Sequence, residues 1–150
     1  MNVLIVGARG AGKTTLIRRV LESLDCPVWG FETEKEGDQV HIYDAGAEHV
    51  PTEENLVGLC GETRGFPVKE GFDRYAPRIL APVKAGSVMI MDELGYLESS
   101  SELFCRAVLE RLGGRDPVIA AVKDRDTAFL SSVRSHPGCR RLASARYKTV

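Results

Sequence analysis

The chain has no excess of either charge. Its 20 lysines and arginines stand against 21 aspartates and glutamates, a formal net charge of −1 at pH 7. That balance excludes the global electrostatic pull of a protein that coats nucleic acid or lies on an anionic membrane. Long apolar runs are also missing: the longest are about five residues, against the roughly 20 that a spanning helix needs. The stretch MNVLIV has no basic n-region and no cleavage site, so it is expected to be a strand and not a signal peptide. Cysteine is sparse and scattered, at Cys26, Cys60, Cys105 and Cys139, with no C-x-x-C and no histidine pair at ligand spacing. A zinc cluster is thereby excluded, and the four thiols are expected to be reduced and mostly buried in a cytoplasmic protein. Neither an internal repeat nor a low-complexity segment is present.

What remains is 150 residues, 43% of them hydrophobic, enough for a single domain with its own core. Asn2 to Val6 is a short apolar run rich in β-branched residues, which predicts a buried strand. Gly7-Ala8-Arg9-Gly10-Ala11-Gly12-Lys13-Thr14 follows and fits G-x-x-x-x-G-K-[ST] without a mismatch. Beyond it, Leu16, Ile17, Val20 and Leu21 recur at helical spacing, so a helix starts near Lys13 and ends near Leu24-Asp25, before Pro27. Strand, glycine-rich turn and helix together make a phosphate-binding loop. The glycines let backbone N–H groups converge on a polyphosphate, and the helix N-terminus adds its partial positive charge. Gly7 through Thr15 would hold the phosphates, with Lys13 reaching the β- and γ-phosphates and Thr14 ligating Mg²⁺.

Further along, Val28–Lys35 and Gln39–Tyr43 flank a Glu36-Gly37-Asp38 turn and predict a hairpin. Residues 44–68 read as a loop region with at most one short strand. Gly71 to Lys84 reads as a helix, with Phe72, Tyr75, Ile79, Leu80 and Val83 on one face and a kink or break at Pro77 and Pro82. Ser87–Met91 predicts a central strand, and Ser99 with Glu102 a capping box ahead of a helix ending at Gly113-Gly114. Pro117–Val122 predicts another buried strand, Asp126–Arg134 a short helix, and Cys139–Ala143 a last strand. Strands alternating with helices imply an α/β fold with a mostly parallel central sheet and ligands at the carboxyl ends of its strands.

Asp92-Glu93 close the Ser87–Met91 run. An acid at the end of a buried strand can hold Mg²⁺ or its waters, and a second carboxylate beside it can orient or deprotonate an attacking water. Asp92 is therefore the second metal residue and Glu93 the catalytic one. Arg125, in the loop after Pro117–Val122, is the first candidate for a cation on the transition-state charge, with Lys123 its neighbour. Thr33 and Glu34 are open between a role at Mg²⁺ or substrate and a cap on a strand end. The basic residues Arg134, Arg140, Arg141, Arg146 and Lys148 have only Tyr147 for stacking, so a solvated face is expected and not a nucleic-acid site. N-K-x-D, which reads guanine, is absent.

The stretch Asp92-Glu93-Leu94-Gly95-Tyr96-Leu97-Glu98, with Ser101 and Phe104 after it, resembles the D-E-I-G-x-M-E…S…F signature of a nucleoside-triphosphatase family. That family is known from thermophiles and as a cancer-related human NTPase. Gly7, Gly10, Gly12, Lys13, Thr14, Thr15 and Leu16 match its phosphate loop, and Gly30-Phe31-Glu32-Thr33-Glu34 is similar to its G-F-x-T-x motif. Lys35 stands where the family often has an acid, residues 44–68 look shorter, and Ser144-Ala145-Arg146-Tyr147 lacks its polar C-terminal signature. The resemblance implies a RecA-like P-loop fold, a three-layer sandwich, and slow Mg²⁺-dependent hydrolysis of several nucleoside triphosphates. The residues on their own leave two rivals: a small-molecule or nucleotide kinase, and a nucleotide-binding adapter with negligible turnover. A monomer whose partner is the nucleoside triphosphate, with no membrane, is the favoured assembly.

Overall fold

The computed structural model describes residues 2–8, 10 and 12–143. Arg9 and Ala11 of the phosphate loop, and Arg146, Tyr147 and Lys148 of the basic C-terminus, lie outside the described residues. The elements run β1 (Asn2–Gly7), α1 (Lys13–Glu22), β2 (Val28–Glu36), β3 (Gln39–Asp44), β4 (Leu56–Cys60), β5 (Gly65–Pro67), α2 (Lys69–Ile79), β6 (Val88–Leu94), a 3₁₀ turn (Leu97–Ser100), α3 (Glu102–Leu112), β7 (Val118–Lys123), α4 (Ala128–Arg134) and β8 (Cys139–Ala143).

The strands form one eight-stranded sheet in the order β5-β4-β3-β2-β6-β7-β1-β8. From β2 to β8 every pairing is parallel, and β3, β4 and β5 extend the sheet antiparallel. Alternation along the central strands splits the core between two faces. Leu4, Val6, Met89, Met91, Ala120 and Val122 pack with side chains of α2, α3 and α4. Ile5, Ile90 and Ala121 face the other way, onto Ile17 of α1. Helices thus cover both faces, which gives the expected three layers. Two glycines fix close approaches: a Cβ on Gly30 (φ +127°) would sit 1.9 Å from the Ile90 carbonyl oxygen, and one on Gly71 would sit 1.9 Å from that of Leu56.

Four expectations change. Residues 44–68 contribute two strands to the sheet and not one at most. Gly58 breaks the apolar pattern of β4, where a Cβ would meet Leu97 Cδ1 at 2.7 Å. The second helix spans Lys69–Ile79, with Pro77 in its last turn. Leu80 N–H then bonds to the Pro77 carbonyl at 3.3 Å, a tighter closure that ends the helix and leaves Leu80 42% exposed. The cap of α3 is Ser101 and not Ser99: its Oγ accepts from Phe104 N–H at 3.1 Å and donates to Asp73 Oδ1 of α2. Ser99 lies inside the 3₁₀ turn, and Ser101, fully buried, takes the cap because α2 holds it there. All four cysteines are free, as expected, but each is only partly buried. Among the described residues no helix is long and apolar enough to cross a membrane.

Candidate active site

Parallel pairing brings the carboxyl ends of β1, β6, β7 and β2 to one edge of the sheet. The phosphate loop leaves β1 there. Gly10 (φ +79°) and Gly12 (φ +88°) both take the left-handed conformation, which a residue with a Cβ adopts only at a cost. The N-cap residue Gly12 has no side chain to cap α1, which leaves amides of the first turn available to an anion. Lys13 opens that helix and is 5% exposed. Its Nζ donates to the carbonyls of Gly7 (2.7 Å) and Ala8 (2.8 Å), which fixes the ammonium at the floor of the loop.

β6 runs on to Leu94, so Asp92 and Glu93 sit inside the strand and not after it. Asp92 stands level with Glu32 on β2 and Ala121 on β7. Thr14 Oγ1 donates to its Oδ1 at 3.1 Å, so the two expected metal residues are in contact. Burial pushes the Asp92 carboxyl above the usual carboxylate range; the Thr14 hydrogen bond opposes this, while the negative charges of Glu93 and Glu32 add to it. A cation between Asp92 and a polyphosphate would relieve that cost. Among the described residues no group of three or more His, Cys, Asp or Glu could hold a metal ion. Two hard oxygens, one hydroxyl and one carboxylate, nonetheless fit Mg²⁺, which takes few protein ligands and completes its shell from phosphate and water.

The register between β6 and β7 shifts between Asp92 and Leu94, and the irregularity turns Glu93 out of the ladder. Its N–H donates to Thr33 Oγ1 at 3.3 Å, which places Thr33 at the site. Glu93 Oε2 lies 3.3 Å from Lys13 Nζ, and its Oε1 lies 3.7 Å from Lys123 Nζ. Gly10, Gly12, Lys13, Thr14, Thr15 and Thr33, with the two acids, enclose a cleft of about 390 Å³. Arg125 is not brought into it. The guanidinium stacks over Tyr96, 4.4 Å from the ring centroid, and Lys123 is the cation beside Glu93.

Three further residues matter that their type alone does not single out. Glu98 is 4% exposed and accepts a hydrogen bond from Gly95 N–H, which closes the turn after β6. Burial pushes its carboxyl up to about 7 against the Gly95 hydrogen bond and the Lys123 charge, with Glu93 adding to the rise. Tyr96 Oη accepts from Gly65 N–H at 2.9 Å and so ties β5 to the site. His49 bridges Glu32 and Glu34 at 2.8 Å each and stacks on Tyr43, which assigns Glu34 to that cluster and not to the cleft. No spacing in the sequence links His49 to those strands.

The nucleoside-triphosphatase THEP1 of Aquifex aeolicus is 29% identical over 161 residues, covering 92% of this chain and 86% of that protein. THEP1 of Thermococcus kodakarensis is 28% identical, covering 81% and 76%. The crystal structure of the Aquifex protein superposes with a TM-score of 0.76 at 22% identity, covering 97% of this chain and 91% of that one. The solution structure of a human cancer-related nucleoside triphosphatase gives 0.65 at 22%, covering 95% and 87%. Both structures share the α/β P-loop architecture described above. The model of a family described as NTPase matches residues 2–144, and the chain belongs to that NTPase family.

Proposed function

We propose that the chain hydrolyses the β–γ phosphoanhydride bond of nucleoside triphosphates in a Mg²⁺-dependent reaction. The observation that carries this is the convergence, at one sheet edge, of a phosphate-loop lysine, a Thr14–Asp92 oxygen pair and a second carboxylate, Glu93. Lys13 and the loop amides hold the β- and γ-phosphates by charge-assisted hydrogen bonds. Thr14 and Asp92 would hold Mg²⁺, which when bound neutralises the charge that develops on the phosphates. Glu93 orients a water for in-line attack and takes its proton. To Lys123, 3.7 Å from Glu93, this reading gives the cation role at the γ-phosphoryl charge that was expected of Arg125.

The experiment is Glu93→Gln, which keeps the side chain's size and removes its charge and proton affinity. Multiple-turnover phosphate release under saturating Mg-nucleotide should fall by about 10²–10⁴, the usual worth of a positioned general base. Affinity for the nucleotide, measured in parallel, should stay within a few-fold, since Glu93 makes no ground-state phosphate contact in this reading. Release at the wild-type rate would remove Glu93 from catalysis. Negligible release by the wild type itself, with or without an acceptor alcohol, would make the chain a nucleotide-binding adapter.

A further inference from the structure

A second cavity of about 380 Å³ opens on the far side of Glu93 from the phosphate loop. Thr33 and Glu93 line both spaces and form the wall between them. Glu93 divides its carboxylate accordingly: Oε2 is turned to Lys13 in the phosphate cleft, and Oε1 to Lys123, which lines the second cavity. A hydrolytic water fills about 30 Å³, so this space is roughly tenfold larger than hydrolysis alone requires. It falls instead in the range of small-molecule sites, about 300–1,000 Å³.

The lining indicates the chemistry of an occupant. Val57, Phe72 and Leu97 supply apolar floor. Lys35 of β2 and Arg64 of the β4–β5 turn reach the same cavity from different elements. Neither has a carboxylate partner among the described residues; Arg64 stacks over Phe66, 4.9 Å from the ring centroid. Three acids line the cavity as well: Glu62, Glu93, which engages Lys123, and Glu98, buried beneath the Gly95 turn whose N–H it accepts. Two cations at one cavity, neither in an ion pair among the described residues, suit an anionic group such as a phosphate. A carboxylate at the cavity's inner wall, shared with the γ-phosphate cleft, suits a hydroxyl.

We propose that this cavity is an acceptor subsite, and that the chain transfers the γ-phosphoryl group to the hydroxyl of a small phosphomonoester whose phosphate sits between Lys35 and Arg64. The proposal rests on the reading of the neighbouring cleft as the triphosphate site. The acceptor oxygen forms a bond to the γ-phosphorus while the bond from that phosphorus to the β–γ bridging oxygen breaks. The bridging oxygen leaves with the nucleoside diphosphate and keeps the bonding pair. The hydroxyl proton passes to the Glu93 carboxylate. Nothing is oxidised or reduced.

The test uses γ-labelled nucleoside triphosphate, Mg²⁺ and the full chain, with α-glycerophosphate, phosphoglycerate and a pentose monophosphate as acceptors. Methyl phosphate, which has no hydroxyl, is the control. Labelled bisphosphate is expected with at least one acceptor, and methyl phosphate should compete with that acceptor without becoming labelled. In a Lys35→Ala, Arg64→Ala double variant the KM for the acceptor should rise at least tenfold. Phosphate release without acceptor should stay within twofold of wild type, since neither residue belongs to the phosphate cleft. Phosphate release with no labelled acceptor from any of the three overturns the subsite and leaves the hydrolytic reading standing. Transfer that the double variant leaves unchanged also overturns it, because the acceptor would then bind elsewhere. Neither release nor transfer defeats both readings together.

Discussion

Glu98→Gln should make the protein more stable at alkaline pH and leave its stability at acid pH nearly unchanged. Glu98 lies at the floor between Gly95, Lys123 and the backbone of the 3₁₀ turn, 4% exposed. Its carboxyl is pushed up to about 7 in the fold, chiefly by burial, against an ordinary value of 4.5. The folded state therefore holds this proton more tightly than the unfolded chain does. Below about pH 4.5 both states are protonated and the group is neutral in each. As pH rises from about 4.5 to about 7 the unfolded carboxyl ionises freely while the folded one resists, and stability is lost across that window. Above about 7 the loss is complete and constant. A displacement of roughly two and a half pKa units corresponds to about 3 kcal/mol, a large share of the 5–15 kcal/mol that holds a typical domain together.

Glutamine removes the ionisation and keeps an oxygen to accept from Gly95 N–H, so the turn after β6 stays closed. The assay is urea unfolding of wild type and variant at pH 5, 6, 7 and 8, read as the difference between them, so that groups common to both proteins cancel. The difference should be within about 1 kcal/mol at pH 5 and grow to about 3 kcal/mol in favour of the variant at pH 8. A difference that does not change with pH would refute the argument, because a merely structural glutamate would be as well or as badly replaced at every pH.

Lys13→Ala should weaken binding of a non-hydrolysable Mg-triphosphate analogue by about 1.5–3 kcal/mol, tenfold or more, through loss of a charge-assisted contact in a water-poor site. Calorimetry showing unchanged affinity would remove the loop from phosphate binding. Arg125→Ala should leave phosphate release within about threefold, since its guanidinium rests on Tyr96, whereas Lys123→Ala should lower kcat by about tenfold or more. The opposite order of the two effects would return the transition-state role to Arg125.

The phosphate-loop half of the candidate site was legible because it is local. Gly7 to Thr15 form one continuous stretch, and the chemistry needs those residue types in that order, so the pattern carries the geometry. β1, β6 and β7 were legible for a related reason: strands buried on both faces must be apolar throughout, and short β-branched runs declare them. β4 escaped because Gly58 sits in its middle, and that glycine answers to Leu97, which lies far along the chain. The cap of α3 was misplaced by two residues for the same kind of reason. Ser99, Ser100 and Ser101 offer equal hydroxyls, and only the contact of Ser101 with Asp73 on another helix selects among them. Glu98 was visible as a letter of a motif, but a glutamate in a turn is ordinarily solvated, and its burial follows from how the turn folds onto α3.

Locality also explains why the second cavity was legible only in part: Thr33, Glu93, Gly95, Tyr96, Leu97 and Glu98 lie in the quoted motifs, but nothing in the sequence joins them to Lys35 or Arg64. Its walls come from β2, β4, the β4–β5 turn, the 3₁₀ turn and the end of β7, segments whose spacing along the chain is set by the connections between them and not by the site. Lys35 in particular looks like an ordinary solvated lysine on a strand. It reaches the cavity because β2 runs parallel to β6 and continues past Glu32, which stands level with Asp92. Glu93, with Thr33, is common to the two spaces. One of its oxygens faces a lysine whose position a motif dictates, and the other faces a lysine that only the fold could bring there. A carboxylate held between two such lysines, with a space on each side, can serve whichever nucleophile occupies the outer one. The size of that space, not the identity of the carboxylate, then decides between water and an acceptor hydroxyl.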